Sequence, residues 1–562
     1  MSARGGSLSA ERSFLWWQQL WRGDPRTAGQ CGRRSARQCR RTAGSRSGPP
    51  VREAVAGWID EMLREDLAAP RKQRHTAKRV FERSPELPVT QRLEQGRSFR
   101  LVFVQVFCNN RSVNLARPAS KASVLLAFRA QNVRSFRDEF EFSLLSTRLA
   151  DEDVIRQVTW REGGRPIGVL PAAGVFGANG SGKSNVLKAM DDMRGHVLHS
   201  FRAGSPTGGI SRCRFMLDRS GRLEPSRFEI DLVLEGIRYE YAFTLDDERI
   251  LEEWAYHYPH GKAVRLFTRS GDDVELGSAE RVKGRAVMEL LRPNALFLST
   301  AASANHPVLL PIYAWFTRNL RLAEASSREF RQALTTQLLD DDVRREQVLA
   351  LLRAADLGIT GAKKRDLDPV MTERLQRAVR IIAGQEGESD STDDGPAFEQ
   401  LGVRLIHRGA AGEVELDARD ESLGTLVWFG LVGPVIEALA DGAVLLADEL
   451  DASLHPALVA ELIRLFQDPK SNPRRAQLIF NSHDATILGD SISTRLLGRD
   501  QIWFTDKRAD GSSRLYPLSD LDPRKEEAVG RRYLAGRYGA IPILSRQEFD
   551  ASAELITSGD PS

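Results

Sequence analysis

The chain has 562 residues, 41% hydrophobic and 28% charged, which suggests two to four domains or one large α/β domain with insertions. No uninterrupted apolar run approaches the roughly 18 residues of a bilayer span, which argues against a membrane-embedded role. Four cysteines with no CxxC pair exclude a disulfide scaffold or a Cys-based zinc module and suit a reducing cytoplasm.

The formal net charge of +4 hides a division. Residues 1–123 hold 24 basic and 10 acidic side chains, whereas residues 124–562 hold 56 and 66. The first segment carries arginine clusters, three of the four cysteines (Cys31, Cys39, Cys108) and no sustained hydrophobic period. A helix-compatible stretch at 51–67 does not rescue a domain from that composition. The apolar piece at 14–20 is broken by Gln18 and Gln19 and does not make a signal peptide. Two readings fit. Clustered arginine attracts phosphates without sequence preference, as a basic arm for nucleic acid would. The favoured expectation is a low-complexity extension, disordered or read in frame upstream of a start near Val124.

Val124 opens an apolar strand, and the residues from Ala172 run strand, glycine loop, helix. The loop is Gly177-Ala178-Asn179-Gly180-Ser181-Gly182-Lys183-Ser184, followed by Asn185. The GxxxxGK[ST] pattern suits phosphates because glycines let backbone N–H groups curl around an anion at a helix N-terminus. Lys183 is placed for the β- and γ-phosphates and Ser184 for Mg²⁺. Residues 226–234, 237–245 and 250–258 read as strands separated by turns. Residues 325–355 and 369–383 read as helices, a compact helical insertion at about 325–383, and 385–396, with five acids, as a disordered loop. Asp340-Asp341-Asp342 lies in a helical region and reads as a solvated turn rather than a metal site.

Glu421-Ser422-Leu423-Gly424-Thr425 opens the apolar stretch 426–439, with hydroxyl and N–H donors at a helix start. The run 443–447 reads as a buried parallel-type strand delivering Asp448 to Mg²⁺ and Glu449 to the attacking water as general base. A second such strand closes on Asn481-Ser482-His483-Asp484, whose histidine can approach a γ-phosphate. A strand near 501–505 and a helix at about 524–535 follow.

Taken in order, the glycine loop, Glu421 to Thr425, Asp448-Glu449-Leu450-Asp451-Ala452-Ser453-Leu454-His455-Pro456 and Asn481 to Asp484 resemble the ABC-type ATPase heads of the SMC, RecF and overcoming-lysogenisation-defect families. Residues 131–136 are similar to the first-strand element of those families. The resemblance covers about 124–544 and implies an α/β fold, a P-loop NTPase of ABC type with an antiparallel β-lobe, in a domain expected at 124–562. It implies a cytoplasmic ATPase with ATP and Mg²⁺ as ligands, and a homodimer in which Ser422 and Gly424 act on the partner's nucleotide. Asp451 then lies in the dimer-spanning loop and His483 is the switch histidine. Narrower phrases, Asn294 to Thr300 and Arg532 to Pro542, resemble AAA-family ATPase subunits of bacterial phage-defence modules such as the RloA and AbiLi types, which implies a separately encoded nuclease-like effector as partner. The alternative is a RecF- or SMC-like repair or chromosome-associated ATPase that contacts nucleic acid. Ser422 follows Ser184 by 238 positions, too few for a long coiled-coil arm. The 79 residues after His483 lack the acidic pattern of a TOPRIM nuclease. A metal-sensing glutamine is not identified; Ser303 to Asn305 stand where one is expected.

Overall fold

Where the apolar run after Ser123 begins, β1 (Val124–Gln131) forms, its first five residues buried. The computed structural model describes residues 123–558 except 151–153, 162–163, 278–280, 356, 365–402, 490–494 and 543–544. The expected helices at 51–67 and 369–383, the rest of the basic segment before residue 123 and the acidic stretch 385–396 lie outside the described residues. In chain order come β2 (Phe140–Ser143), β3 (Arg156–Val158), β4 (Ile167–Val169), β5 (Ala172–Gly177), α1 (Lys183–His199) and α2 (Arg219–Leu223). Next are β6 (Ser226–Leu234), β7 (Ile237–Leu245), β8 (Ile250–His257), β9 (Val264–Ser270), β10 (Asp273–Leu276), α3 (Arg281–Met288), α4 (Phe297–Ser303) and α5 (Leu310–Arg318). They lead to β11 (Leu320–Ala323), α6 (Arg328–Leu338), α7 (Asp342–Ala354), β12 (Ile359–Lys364), β13 (Val403–Gly409), β14 (Gly412–Asp417) and α8 (Leu423–Asp441). The last are β15 (Val444–Ala447), α9 (Pro456–Gln467), β16 (Gln477–Asn481), β17 (Ile502–Lys507), β18 (Ser513–Pro517), α10 (Val529–Leu534) and α11 (Arg546–Ser558).

Two sheets organise the α/β fold. One has seven antiparallel strands in the order β10-β9-β8-β7-β6-β1-β2. The other has six, β11-β15-β16-β5-β17-β18, parallel except for β18. Every residue of β5, β15 and β16 is buried, as a parallel sheet covered on both faces requires. The sheets are clasped by one side chain: the Gln477 amide accepts from Leu125 N–H at 2.7 Å and donates to Leu125 C=O at 2.9 Å. In the antiparallel lobe, the fully buried Glu253 carboxylate accepts from Phe297 and Leu298 N–H at 2.6 and 2.9 Å and from the Tyr241 hydroxyl at 3.0 Å. It thereby satisfies the first turn of α4, which has no side-chain cap of its own.

The three strands expected at 226–234, 237–245 and 250–258 are β6, β7 and β8. Two expectations need correction. The insertion is not wholly helical: α6 and α7 are followed by β12, which pairs antiparallel with β13, and β13 with β14. The helix expected from about 524 begins only at Val529, after a turn in which Glu527 N–H donates to Arg524 C=O at 3.1 Å and the Glu527 carboxylate accepts from Arg524 N–H at 3.0 Å. Among the described residues one helix, α8, is long and apolar enough to cross a membrane, and 61% of its apolar window is buried in the fold. The Thr335 hydroxyl of α6 donates to Phe429 C=O at 2.8 Å and accepts from Gly433 N–H at 3.0 Å. It bridges the two groups of α8 that an uninterrupted helix joins directly, next to the internal Pro434.

Candidate functional site

The carboxyl ends of five neighbouring strands deliver Gly177, Glu324, Asp448, Asn481 and Thr505 to one edge of the parallel sheet, the edge at which open α/β sheets take their ligands. Between β5 and α1 the loop turns through Gly180 (φ 74°) and Gly182 (φ 112°), both in the left-handed region that glycine tolerates. A Cβ on Gly177 would meet Thr505 C=O at 2.4 Å, so glycine is needed there for close packing. Helix α1 has no side-chain cap and no acidic residue in its first turn, leaving its N–H groups for an anion. Ser513 fixes the loop from outside, its hydroxyl donating to Ser181 C=O at 2.6 Å. The Ser181 hydroxyl bonds that of Thr505 at 2.7 Å. Asn185 donates to the Ser135 hydroxyl at 2.8 Å, and Asn179 precedes the turn at Gly180.

Lys183 is buried and folded back on its own loop, donating to the carbonyls of Gly177 and Ala178 at 2.9 and 3.0 Å. His483 Nδ1 lies 3.3 Å from the ammonium. Burial pushes the Lys183 ammonium down to about 8, against the pull of Asp451, Glu449 and Asp448.

One amide organises the carboxylates. Asn481 Nδ2 donates to Asp448 Oδ1 at 2.6 Å and to the Ser184 hydroxyl at 3.1 Å, and Asn481 Oδ1 accepts from Glu449 N–H. Ser184 and Asp448, named from sequence for Mg²⁺, therefore share one hydrogen-bond partner. Their hydroxyl and carboxylate form an oxygen donor pair that suits Mg²⁺, beside an uncapped helix start that suits phosphate. Glu449 is exposed and left-handed, φ 54°, and its carboxylate makes no hydrogen bond or ion pair among the described residues. Asp451 Oδ2 accepts from His483 N–H at 3.2 Å, while its buried Oδ1 has no hydrogen-bond partner. Asp451 and His483, expected from the sequence in the dimer-spanning loop and as the switch histidine, thus meet within one chain.

Ser422 is the N-cap of α8, accepting from Thr425 N–H at 3.1 Å. Its hydrogen bonds stay within its own helix start. A Cβ on Gly424 would meet Ser453 C=O at 2.8 Å, which places this turn against the loop after Glu449 rather than at the phosphate loop. Beside it, Glu421 pairs with His407 at 2.6 Å. Asp341 caps α7 through Arg344 N–H, and Asp340 and Asp342 pair with Lys364 and Arg345. This acidic triplet makes a capped helix start.

Sequence reasoning missed Glu324, Lys188 and the part played by Asn481. Ser303 to Asn305, noted in place of the metal-sensing glutamine, close α4, with the Ser303 hydroxyl donating to Ser299 C=O at 3.0 Å. The residue beside Asp448 is instead Glu324, at the end of β11, which pairs with Lys188 at 2.5 Å. Lys188 lies one turn beyond Ser184 on α1 and 3.9 Å from Asp448. Asn481 was legible as a polar residue ending a strand, but only register puts it opposite Ser184.

A family model described as "AAA domain, putative AbiEii toxin, Type IV TA system" matches residues 172–489. No curated protein matches the sequence. Among solved structures the chain is similar to the SMC head bound to the C-winged helix domain of ScpA, at 12% identity over 71% of this chain and 99% of that chain, TM-score 0.33. It is also similar to the SMC head domain from Thermotoga maritima, at 14% identity over 70% and 98% of the two chains, TM-score 0.31. A third is the Smc head domain with an extended coiled coil bound to the C-terminal domain of ScpA, derived from Pyrococcus furiosus, at 12% identity over 71% and 98%, TM-score 0.31.

Proposed function

The chain belongs to the AAA-domain family matched over residues 172–489, a family of ABC-type ATPases, and on that premise we propose that it hydrolyses ATP to ADP and phosphate as a dimeric switch. The observation that carries this reading is the Asn481 amide joining Ser184, Asp448 and the backbone of Glu449 beside the uncapped start of α1. The loop N–H groups from Gly177 to Asn185 cradle the phosphates. Lys183 leaves the carbonyls of Gly177 and Ala178 for the phosphate oxygens, trading neutral acceptors for charged ones. Ser184 and Asp448 hold Mg²⁺, which when bound supplies charge neutralisation across the phosphates. Glu449 takes the proton of the attacking water, and His483, already at the Lys183 ammonium, faces the terminal phosphate.

The remaining elements are read through the dimer. Ser422 and Gly424 lie at a helix N-terminus whose hydroxyl and N–H groups suit an anion, and this turn packs on the loop holding Asp451 and Ser453. In a head-to-tail homodimer the partner's phosphate completes it, so that ATP closes the pair and hydrolysis opens it. The output is control of a separately encoded nuclease-like effector in phage defence, a role supported by the motif resemblance of the 294–300 and 532–542 segments. Native mass spectrometry of Glu449→Gln protein with Mg-ATP tests the switch. A nucleotide-loaded dimer is expected, converted to nucleotide-bound monomer by adding Ser422→Arg; a dimer indifferent to both ATP and Ser422→Arg removes the switch. A co-purifying second protein identifies the effector, and nucleic acid in its place moves the output to DNA.

A further inference from the structure

Arg331 lies on α6, is only 5% exposed and carries a guanidinium whose buried Nε has no hydrogen-bond partner. Among the described residues its guanidinium makes no ion pair. Its Nε is desolvated without compensation, and its terminal nitrogens, which make no hydrogen bond among the described residues, are free to take a partner from the cavity that the side chain borders. The cavity it borders, about 210 Å³ in volume, is also lined by Arg328, Glu329, Leu431, Asp448 and Glu449. Of its carboxylates, Asp448 is held by Asn481, and Glu329 already pairs with Arg328 at 3.2 Å. Glu449 alone of these three has neither a hydrogen bond nor an ion pair among the described residues.

Arg331 is also mounted where it can carry information. Gln332 donates to Leu426 C=O at 2.8 Å, and Thr335 bridges Phe429 and Gly433. Gly430 and Gly433 admit this close approach: a Cβ on Gly433 would meet Thr335 Oγ1 at 2.5 Å. Helices α6 and α8 are thereby locked into one body that begins with Ser422.

Resting on the ATPase reading, we propose that Arg331 is a positioning residue for Glu449. When the α6–α8 body closes toward the carboxylate edge, the guanidinium takes one Glu449 oxygen and leaves the other for water. The same contact ties the general base to the helix that carries Ser422. The test compares Arg331→Met, Arg331→Lys, Glu449→Gln and the Arg331→Met/Glu449→Gln double variant, with Lys183→Ala as control.

Arg331→Met is expected to lower kcat roughly ten- to a hundredfold, the scale of a misplaced catalytic group, with KM for ATP within about twofold. Arg331→Lys is expected to recover part of the loss, and Arg331→Met should add little to Glu449→Gln because the two act as a unit. The melting temperature of Arg331→Met should equal or exceed that of the wild type, as removal of an unpaired buried charge predicts. Wild-type kcat in Arg331→Met, multiplicative losses in the double variant, or a clear fall in melting temperature each overturns the assignment. Turnover that survives Lys183→Ala removes the ATPase reading instead. If the wild type shows no turnover, the Mg-ATP-induced melting shifts of the same four proteins decide the pair, additive shifts overturning it and non-additive shifts upholding it.

Discussion

In the antiparallel lobe, Glu253 and Arg269 are both fully buried, 3.7 Å apart, and bonded on every side. Glu253 takes two backbone N–H groups and a tyrosine hydroxyl, and Arg269 donates to the carbonyls of Ala295, Gly271 and Arg292. At the edge of the parallel sheet, Glu449 and Arg331 border one cavity and neither side chain is bonded in this way. The first arrangement is complete without a ligand and fixes α4 against β8. The second leaves a carboxylate at positive φ, a buried guanidinium Nε and a helix start without a side-chain cap, none of them with a side-chain partner among the described residues. In a low-dielectric interior a finished polar network rigidifies, and an unfinished one marks where charge is to be bound.

The comparison breaks most visibly if the two glutamates are exchanged in role. Glu253→Ala strands Arg269 and is expected to cost about 3–5 kcal/mol, read as a lowered urea midpoint. Glu449→Gln, by contrast, should hold the midpoint within about 0.5 kcal/mol while turnover falls at least about a hundredfold. A stability loss from Glu449→Gln as large as that from Glu253→Ala would erase the distinction. A smaller effect sharpens the account of the α6–α8 body. Gly433→Ala drives a methyl into Thr335, whose backbone N and Cα would also lie 3.0 Å away, for about 1–3 kcal/mol of overpacking. An unchanged thermal midpoint would mean that the two helices slide rather than move together.

The smallest effect concerns pH in the lobe. Burial against Phe228 and Phe243 pushes His196 down to about 4, whereas an unfolded histidine titrates near about 6.5. The unfolded chain therefore binds a proton first as pH falls. The contribution is intact above about pH 7.5 and declines as pH falls from there toward 4, by about 0.8 kcal/mol at pH 6. His196→Leu should flatten that part of the stability-versus-pH curve; an identical slope would assign it to other groups.

Much of the fold was legible locally. The loop glycines, Lys183 and Ser184 sit in eight consecutive positions between a strand and a helix, because phosphate binding needs short-range backbone geometry. Asp448 and Glu449 were legible as well, since they directly follow the apolar run 443–447. The strands of the antiparallel lobe announced themselves by turn residues at Glu235-Gly236 and 246–249. The sheet β12-β13-β14 was not legible, since it pairs a strand beside α7 with one about 40 residues later, and pairing over that separation leaves no local mark. Glu324 was missed for the same reason: only the parallel register of β11 with β15 sets it beside Asp448.

The sequence alone located the glycine loop, the paired carboxylates and the turn before α8, because each depends on residues adjacent in the chain. Tertiary structure decided the rest. Strand order brought Asn481 to Ser184 and Asp448, and the insertion of Thr335 locked α6 to α8. Burial left the Arg331 Nε without a partner. Those relations depend on distances between residues up to about 300 positions apart, and periodicity along a chain carries no information about them.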